Sequence, residues 1–410
     1  MYTFIIHLYA WVVRLAALFH RKARAMRAGQ RETLPLLRNR IDRTAKYIWF
    51  HASSLGEFEQ GRPMMEKIKA AHPEYKILLT FFSPSGYEVR KDYAGADIVC
   101  YLPFDTPRRV KAFLNLTNPA IAVFIKYEFW GNYLHELRKR GIPVYIVSAI
   151  FRREQLFFKW YGKSYRKILL CFNHLFVQDN LSKELLNKYG ITNVTVTGDT
   201  RFDRVHDIYR QRKAIPAVEQ FIASASGEKK HILIAGSSWP QDEELLINYF
   251  NNRPDLKLII APHEIDNGHL QHIESLLKRP IVRLSEAGNV NLSAQDCLIA
   301  DSFGLLSSIY RYGDIAYIGG GFGAGIHNTL EAAVYGIPVL FGPNYQKFKE
   351  AKDLIDCGAA FSITNEAELA NRLNALLADT KLSATVGKAA ARFVQEHIGT
   401  TDKVLAELSL

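Results

Sequence analysis

The sequence predicts an α/β protein with two doubly wound, Rossmann-like domains that face each other across a cleft, preceded by an apolar amino-terminal helix. The chain has 410 residues, of which 48% are hydrophobic, so it can bury two substantial cores. From residue 47 onward, short β-rich runs alternate with helical stretches. Because these runs are continuously apolar, they predict parallel strands covered by helices on both faces.

The amino-terminal segment is the first predicted element. Residues 1–19 are almost wholly apolar, and Thr3, His7 and Arg14 recur at helical spacing, which predicts a helix with one narrow polar face. The segment is marginal in length for spanning a bilayer, so we expect a helix over residues 1–22 that lies along or dips into a membrane. A cleaved signal peptide is disfavoured, because the basic residues follow the apolar stretch.

The formal net charge of +11 is concentrated near the amino terminus. Residues 1–43 hold nine Lys or Arg residues against Glu32 and Asp42, a net charge of +7. The rest of the chain is nearly balanced, which argues against a nucleic-acid channel through the domains. We expect that the basic amino terminus meets an anionic surface instead.

The four cysteines indicate a reducing environment. They lie far apart, and the sequence contains no C-x-x-C pair. We expect all four, Cys100, Cys171, Cys297 and Cys357, to be reduced and buried in a cytosolic protein.

Two sets of predicted strands follow along the chain. The first set comprises residues 48–52, 76–82, 98–103, 121–125, 144–147, 175–177 and 194–196, and the second comprises residues 231–235, 256–261, 281–284, 298–300, 315–318 and 339–341. The polar stretch 204–230 separates the sets, so residues 23–210 and 211–410 are the predicted domains. Because ligands bind beyond the carboxyl ends of the strands in such sheets, strand-end residues are the candidate functional residues.

The first predicted strand ends in the sequence HASSLGE, which places Glu57 near the start of a helix predicted over residues 58–71. The field at a helix start favours an ionised carboxylate, which is the state that a general base requires. An acidic residue in a first helical turn is also a common cap. The local sequence favours both interpretations of Glu57 equally.

Two further strand ends carry charged side chains. Lys126 and Glu128 follow residues 121–125, and Arg201 follows residues 194–197. A lysine and an arginine that converge on a phosphate would stabilise the charge that develops on a departing nucleotide. Internal ion pairs, Lys with Glu or Arg with Asp, are the alternative.

A glycine-rich turn, GGGFGAG over residues 319–325, lies between an apolar strand and a short helix. Glycines such as Gly321 let a backbone approach a phosphate, N–H groups at a helix start attract anions, and Glu331 is placed to hold a ribose. A tight strand-to-helix turn is the alternative, but the following strand and the Gly342-Pro343 turn favour a nucleotide site.

Several chemistries are excluded by the motifs that the sequence lacks. It contains no G-x-x-x-x-G-K-[ST] loop, no G-x-S-x-G elbow, no H-E-x-x-H motif and no D-x-D pair. A transfer without a metal ion is therefore favoured. Dinucleotide redox chemistry is a weak interpretation, because the glycine-rich turn comes late in the chain.

Six short motifs, in order along the chain, resemble those of 3-deoxy-D-manno-octulosonic acid (Kdo) transferases. They are residues 51–57 (HASSLGE), 101–105 (YLPFD), 128–130 (EFW), 196–203 (VTGDTRFD), 300–304 (ADSFG) and 327–331 (HNTLE). The resemblance runs from the amino-terminal segment to about Gly358. Each motif is weak alone, but their shared order is specific.

This resemblance implies a metal-independent, inverting GT-B enzyme that moves Kdo from CMP-Kdo to the lipid A precursor (lipid IVA). It implies an acceptor-binding domain over residues 23–210, a CMP-Kdo-binding domain over residues 211–410, no cofactor, and a place at the cytoplasmic face of a Gram-negative inner membrane. By motif position, Glu57 matches the catalytic base and Arg201 matches a basic group that stabilises the leaving phosphate. The residues that match the CMP-holding stretches are Pro262, His263, Phe303, Gly304, Leu305, Asn328, Thr329, Leu330 and Glu331.

The sequence departs from the family pattern at three positions. Lys126 stands where many relatives have the first glutamate of an E-T-E-L-W-P motif, to which a transition-state role is assigned. Either Lys126 binds the Kdo carboxylate or phosphate directly, or Glu128 assumes the missing function. His263 replaces the usual arginine and Leu305 the usual acidic residue, which leaves part of cytidine recognition to backbone groups.

Two alternative functions share the predicted architecture. A GT-B transferase that uses a UDP-sugar and a lipid-linked acceptor would have the same domains, glycine-rich turn and basic amino terminus. A nucleotide-sugar epimerase would have the two-domain layout, but it would need neither a membrane segment nor an acceptor.

Overall fold

A computed structural model describes residues 2–211, 213–223 and 230–410, and the chain divides into two compact units. Unit 1 comprises Met1–Arg204 together with Gly399–Leu410, and unit 2 comprises Val205–Ile398. Each unit is built on a seven-stranded sheet in which every strand pair is parallel. The predicted α/β class with two doubly wound sheets is confirmed.

Unit 1 contains the first seven strands, all of them predicted from the sequence. They are β1 (Lys46–Ala52), β2 (Tyr75–Phe81), β3 (Ile98–Tyr101), β4 (Ile121–Ile125), β5 (Val144–Ala149), β6 (His174–Val177) and β7 (Val194–Val196). The helices of this unit are α1 (Tyr2–Ala16), α2 (Arg21–Arg40), α3 (Leu55–Ala71), α4 (Pro84–Arg90), α5 (Pro107–Thr117), α6 (Gly131–Lys139), α7 (Lys163–Leu169), α8 (Asn180–Lys188) and α18 (Thr400–Glu407), with 3₁₀ turns at Leu156–Phe158 and Trp160–Gly162. Helix α9 (Arg201–Gln211) begins in unit 1 and ends in unit 2.

The strand order in unit 1 is β3-β2-β1-β4-β5-β6-β7, so sheet growth reverses between β1 and β4. Both faces of the sheet are covered, because Trp49 belongs to one hydrophobic cluster and its neighbour Phe50 to another, and neither is exposed to solvent. This double burial explains why the strands are continuously apolar in sequence. Ligands bind at such a reversal point in open α/β sheets.

The amino-terminal helix α1 is tied to the body of unit 1 at its start. The Tyr2 hydroxyl donates to Asp105 Oδ2 at 2.5 Å, and the Gly131 N–H donates to the Tyr2 hydroxyl at 2.9 Å. Among the described residues no single helix is long and apolar enough to cross a membrane, while α1 and α2 meet that test only as a pair bent by 119°. Association of residues 1–22 with a membrane stays a prediction.

The carboxyl terminus belongs to unit 1, whereas the sequence placed it in the second domain and the boundary at residue 210. Val404 and Leu408 of the last helical segment are buried in a core cluster of unit 1. Asp203 caps α18 by accepting from the Thr401 N–H at 2.6 Å and from the Gly399 N–H at 2.5 Å. The periodicity of a terminal amphipathic helix predicts that it packs, but not which of two cores it joins.

Unit 2 contains seven further strands. They are β8 (His231–Ser238), β9 (Leu256–Pro262), β10 (Ile281–Arg283), β11 (Cys297–Ile299), β12 (Ile315–Ile318), β13 (Val339–Phe341) and β14 (Ala360–Ser362). The helices are α10 (Pro216–Ile222), α11 (Pro240–Asn251), α12 (Asn267–Leu276), α13 (Leu306–Ile309), α14 (Leu330–Ala333), α15 (Lys349–Asp356), α16 (Glu366–Ala378) and α17 (Thr380–His397), with 3₁₀ turns at Leu284–Asn289, Leu292–Ala294 and Tyr310–Tyr312. Strand β14 was not predicted, because three residues with one buried side chain give no periodic signal.

The order in unit 2 is β10-β11-β9-β8-β12-β13-β14, which reverses between β8 and β12. The glycine-rich turn therefore begins at the carboxyl end of a strand beside the reversal point of this sheet. All four cysteines are free thiols, but Cys357 is exposed, so the prediction that all are buried is wrong for this residue. Cys357 follows α15 directly, outside the apolar strands that bury Cys100 and Cys297.

Candidate active site

In unit 1 the candidate site forms where β1 and β4 end side by side. The two strands pair in register up to His51 and Phe124, and the chain leaves β1 into α3 through Ser53 and Ser54. Ser54 is the N-cap residue of α3 and Glu57 is its third helical residue, which is the spacing of a capping box. This arrangement places Glu57 at the reversal point of the sheet.

Glu57 is both a cap and an electrostatically perturbed carboxyl group. Its Oε2 accepts from the Ser53 N–H at 2.6 Å and from the Ser54 N–H at 3.1 Å. Burial and the negative charge of Glu128 raise the pKa of Glu57 to about 7, although these two N–H groups and the charge of Lys126 act to lower it. The helix start alone favours a lower pKa, so burial beside a second carboxylate decides the outcome. A pKa near 7 suits a group that exchanges a proton at neutral pH.

Glu128 is buried and held in place by two neighbours. Its Oε2 lies 2.9 Å from His51 Nε2 and accepts from Trp130 Nε1 at 2.6 Å. His51 is fully buried on β1, and its Nδ1 lies 2.9 Å from Thr80 Oγ1. These contacts fix one oxygen of Glu128 and set its carboxylate where it acts on Glu57. His51 was not among the predicted site residues, although a histidine at the end of an apolar strand was a signal.

Lys126 has an unusual backbone conformation at the end of β4. Its φ is +65°, in the left-handed region that residues other than glycine rarely adopt, and its N–H donates to Val147 O at 2.9 Å. Such a conformation costs of order 1–3 kcal/mol and is found most often at functional sites. Its Nζ lies 5.4 Å from the centre of the Tyr127 ring. Lys126 and Glu128 therefore lie close enough to Glu57 for their charges to shift its pKa.

Arg201 forms an ion pair with Asp199, which is the alternative that the sequence left open for this residue. Arg201 Nη2 and Nε both donate to Asp199 Oδ2, at 2.7 Å and 2.9 Å. Asp199 is buried, which acts to raise its pKa, but the charge and hydrogen bonds of Arg201 lower the pKa below its ordinary value. Gln60 Nε2 donates to the other oxygen of Asp199 at 3.1 Å. Arg201 also contributes positive charge near the Tyr127 hydroxyl.

In unit 2 the glycine-rich turn is held by Asp242 of α11. Asp242 Oδ2 accepts from the Gly320 N–H at 2.8 Å, and its Oδ1 accepts from the Tyr317 hydroxyl at 2.7 Å. A Cβ atom on Gly321 would lie 2.6 Å from the backbone of Gly342, so this position requires glycine for the packing of two backbone segments. The sequence pattern predicted phosphate binding by these glycines, whereas the close approach of the two backbone segments was not predicted.

The segment that follows the turn is linked to residues 303–309. Glu331 accepts from Asn328 Nδ2 at 3.1 Å and from Ser307 Oγ at 2.7 Å. Leu330 and Thr329 are buried, so they support the segment from inside. By contrast, Phe303 is 78% exposed and Gly304 adopts a φ of +86°. An exposed aromatic ring on a tight turn is a surface on which a base can stack.

The rings of Trp239, His263 and His327 stack near the point where the strand order of unit 2 reverses, between β8 and β12. His263, which directly follows Pro262 at the end of β9, lies 4.9 Å from the Trp239 ring and 4.2 Å from the His327 ring, centre to centre. Trp239 Nε1 donates to His327 Nε2 at 3.0 Å. Burial, followed by the charge of His263, lowers the pKa of His327 to about 4, and burial also lowers the pKa of His263. Both imidazoles are therefore neutral at pH 7, so His263 does not supply the positive charge of an arginine.

Of the predicted residues, the structure brings Glu57, Lys126 and Glu128 together in unit 1. In unit 2 it links Asn328 and Glu331 to the segment that follows Phe303, Gly304 and Leu305. Within residues 2–211, 213–223 and 230–410, no group of three or more His, Cys, Asp or Glu side chains is arranged to hold a metal ion.

Comparisons with known proteins give a consistent result. Residues 21–204 match the family described as 3-deoxy-D-manno-octulosonic-acid transferase (kdotransferase). The enzyme of that name from Aquifex aeolicus is 29% identical over 341 residues, covering 82% of this chain and 87% of the relative. The one from Bordetella pertussis is 27% identical over 407 residues, covering 94% and 90%.

A solved structure shares the architecture. The UDP-GlcNAc 2-epimerase from Neisseria meningitidis, bound to UDP-GlcNAc, superposes with a TM-score of 0.61 and 15% identity, covering 88% of this chain and 98% of that one. At this identity the likeness shows a common GT-B-type fold and nothing about the reaction.

Proposed function

We propose that this chain, a glycosyltransferase of GT-B fold that is similar to Kdo transferases over most of its length, transfers Kdo from CMP-Kdo to a hydroxyl group of the lipid A precursor. We propose further that the reaction inverts the anomeric centre, needs no metal ion or cofactor, and takes place at the cytoplasmic face of the inner membrane. The observation that carries this proposal is that Glu57, Glu128 and Lys126 meet at the neighbouring ends of β1 and β4, within the residues that match the transferase family.

Glu57 acts as the general base in this proposal. The acceptor hydroxyl has a pKa far above neutrality, so it loses its proton only as its oxygen bonds to the anomeric carbon. A carboxylate with a pKa near 7 takes that proton more readily than one with an ordinary pKa. The Ser53 and Ser54 N–H groups hold one oxygen of Glu57, which orients the other for the acceptor.

We propose separate roles for Lys126 and Glu128, which the sequence left as alternatives. Glu128 is engaged by His51 and Trp130 through one oxygen, and it keeps the pKa of Glu57 high, so it is a positioning residue. Lys126 lies within electrostatic reach of Glu57 and provides a positive charge at the same strand end. We propose that Lys126 binds the Kdo carboxylate or the phosphate of the donor.

Unit 2 binds the donor in this proposal. CMP leaves as a phosphate monoester, and we assign its growing charge to the backbone N–H groups of Gly321, Phe322 and Ala324. The other N–H groups of this turn already donate within the protein, those of Gly319 and Gly320 to Gly236 O and Asp242, and those of Gly323 and Gly325 to Gly320 O. Glu331, held by Asn328 and Ser307, accepts hydrogen bonds from the ribose hydroxyls, and Phe303 offers its exposed ring to the cytosine. His263 and His327 are neutral, so they position these groups without adding charge.

The test of the proposed base is Glu57→Gln, assayed with purified protein, CMP-Kdo and lipid IVA. We expect a loss of turnover of at least about 10²-fold, while CMP still binds, because only proton transfer is removed. Glu66→Gln, which changes a carboxylate in the same helix within an ion pair with Arg62, is the matched control and should stay active. Substantial turnover by Glu57→Gln would refute the assignment.

The donor assignment is tested by competition. We expect CMP to inhibit the enzyme far better than UDP, and we expect labelled donor to yield a lipid-linked product. Preferential inhibition by UDP would indicate the UDP-sugar transferase, and an isomerised donor without acceptor would indicate the epimerase.

A further inference from the structure

A second cavity in unit 1, separate from the β1 and β4 strand ends, is lined by four arginines. It has a volume of about 260 Å³ and lies among α1, α2 and α5. The polar side chains that line it are Arg14, Arg27, Arg31, Arg109 and Gln30. The volume suits a headgroup rather than a whole drug-sized ligand, because pockets for such ligands hold roughly 300–1,000 Å³.

The four guanidinium groups around this cavity bring positive charge together. Within the described part of the chain, none of the four guanidinium groups forms a salt bridge with a carboxylate, although such pairs are common elsewhere on unit 1. Burial and the neighbouring charges of Arg14 and Arg31 lower the pKa of Arg109. Because four like charges around one space repel one another, an anion there would be strongly favoured.

Gln30 points independently to a ligand. It is only 5% exposed, and its Nε2 has no hydrogen-bond partner among the residues that the structure describes. Its Oε1 accepts from Arg109 Nη1 at 3.4 Å, which leaves the amide N–H groups as donors in the cavity wall. A buried donor without a partner is rare and costs about 1–3 kcal/mol, so it indicates an acceptor that belongs at this position.

The helix that contributes Val13 and Arg14 to the cavity also carries an exposed apolar face. On α1, Phe4 is 72% exposed and Trp11 is 55% exposed, and further apolar side chains on this helix are also exposed. The opposite side of α1 packs through Val13 against Phe104 and Met26, and Val13 and Phe104 form the apolar part of the cavity lining. A lipid matches this layout, with its charged group among the arginines and its chains beside α1.

We propose that this cavity binds the phosphate monoester of a membrane lipid. A monoester carries close to two negative charges and three terminal oxygens, so it accepts from several guanidinium forks at once, which a phosphodiester with two free oxygens does less well. The proposal rests on the membrane association that is part of the proposed function. It adds a lipid headgroup site that is distinct from the transfer site.

The experiment measures binding of the full chain to vesicles by flotation at pH 8, without donor or acceptor. Phosphatidylcholine vesicles with about 10 mol% phosphatidic acid are compared with vesicles that hold about 20 mol% phosphatidylglycerol, which gives a similar surface charge with diesters only. The cavity variant is Arg14→Gln with Arg31→Gln, because both side chains are exposed and their loss leaves the core intact. The control, Arg21→Gln with Lys22→Gln, removes the same charge from exposed positions outside the cavity.

We expect the unmodified chain to bind the phosphatidic acid vesicles about tenfold more tightly. The cavity variant should lose this preference. The control variant should bind both kinds of vesicle more weakly but still prefer those with phosphatidic acid. Equal binding of the unmodified chain to both vesicles, or a preference that survives in the cavity variant, would overturn the proposal. Absence of vesicle preference together with binding of inorganic phosphate would instead indicate a site for free phosphate. Loss of Kdo transfer is a separate readout and tests only the proposed function.

Discussion

The pH dependence of transfer gives the sharpest test of the electrostatics at Glu57. A base must be deprotonated, so the reaction slows as the pH falls through the pKa of Glu57. Burial and the charge of Glu128 place that pKa at about 7 instead of the ordinary 4.5. The perturbation is Glu128→Gln, which removes the neighbouring charge and retains the shape of the side chain.

The size of the expected change in kcat/KM follows from the titration of Glu57 alone. With a pKa of about 7, roughly a tenth of Glu57 is ionised at pH 6 and roughly nine tenths at pH 8, so kcat/KM should rise about tenfold across this interval. In Glu128→Gln the like charge is gone while burial remains. The acid limb of the profile should therefore move to lower pH, and the variant at pH 6 should retain a larger share of its own plateau activity.

The assay is kcat/KM for Kdo transfer between pH 5 and pH 9, with each variant normalised to its plateau. This normalisation separates the titration from any loss of positioning that Glu128→Gln also causes. A flat profile between pH 6 and pH 8 in the unmodified enzyme would refute the assignment of Glu57 as a base with a raised pKa. An acid limb that stays in place in Glu128→Gln would show that Glu128 does not set this pKa.

Three further predictions concern packing, burial and strain. Gly321→Ala should destabilise unit 2 by about 2 kcal/mol, because its methyl group would lie 2.6 Å from the Gly342 backbone, whereas Gly288→Ala meets nothing within 4 Å; equal urea midpoints for the two variants would contradict this. His327 stays neutral in the folded protein down to a pKa of about 4, whereas in the unfolded chain it is protonated below about 6.5, so stability should fall as the pH drops between these values. Thermal melts of His327→Gln should show a smaller fall, and an identical slope would argue against a buried neutral imidazole. Lys126→Gly should gain up to about 1 kcal/mol by relieving the positive φ while losing transfer, and Lys126→Ala should lose transfer without the gain; full activity of Lys126→Ala would exclude its electrostatic role.

Most of the fold could be predicted from the sequence because strands and helix caps leave local patterns in it. Thirteen of the fourteen strands in the described residues were predicted, since a strand buried on both faces is a continuous apolar run whatever its partners are. The capping position of Glu57 was also readable, because Ser54 precedes it at the spacing of a capping box. The six ordered motifs indicated the family, which the matches to residues 21–204 and to relatives over most of the chain bear out.

Local patterns along the chain were enough to predict the α/β class, the two parallel sheets and the strand ends at which the candidate functional residues lie. The protonation state of those residues could not be predicted in this way, because a pKa depends on burial and on charges that are distant along the chain. Glu128 lies 71 residues from Glu57 in sequence, yet it helps to raise the pKa of that carboxyl group to about 7. In the same way, only the packing of α18 assigned the carboxyl terminus to unit 1, and only the fold gathered Arg109 with the arginines of α1 and α2 around one cavity. Local patterns fix local structure, but charge and burial at a site are sums over neighbours that the chain brings together on folding.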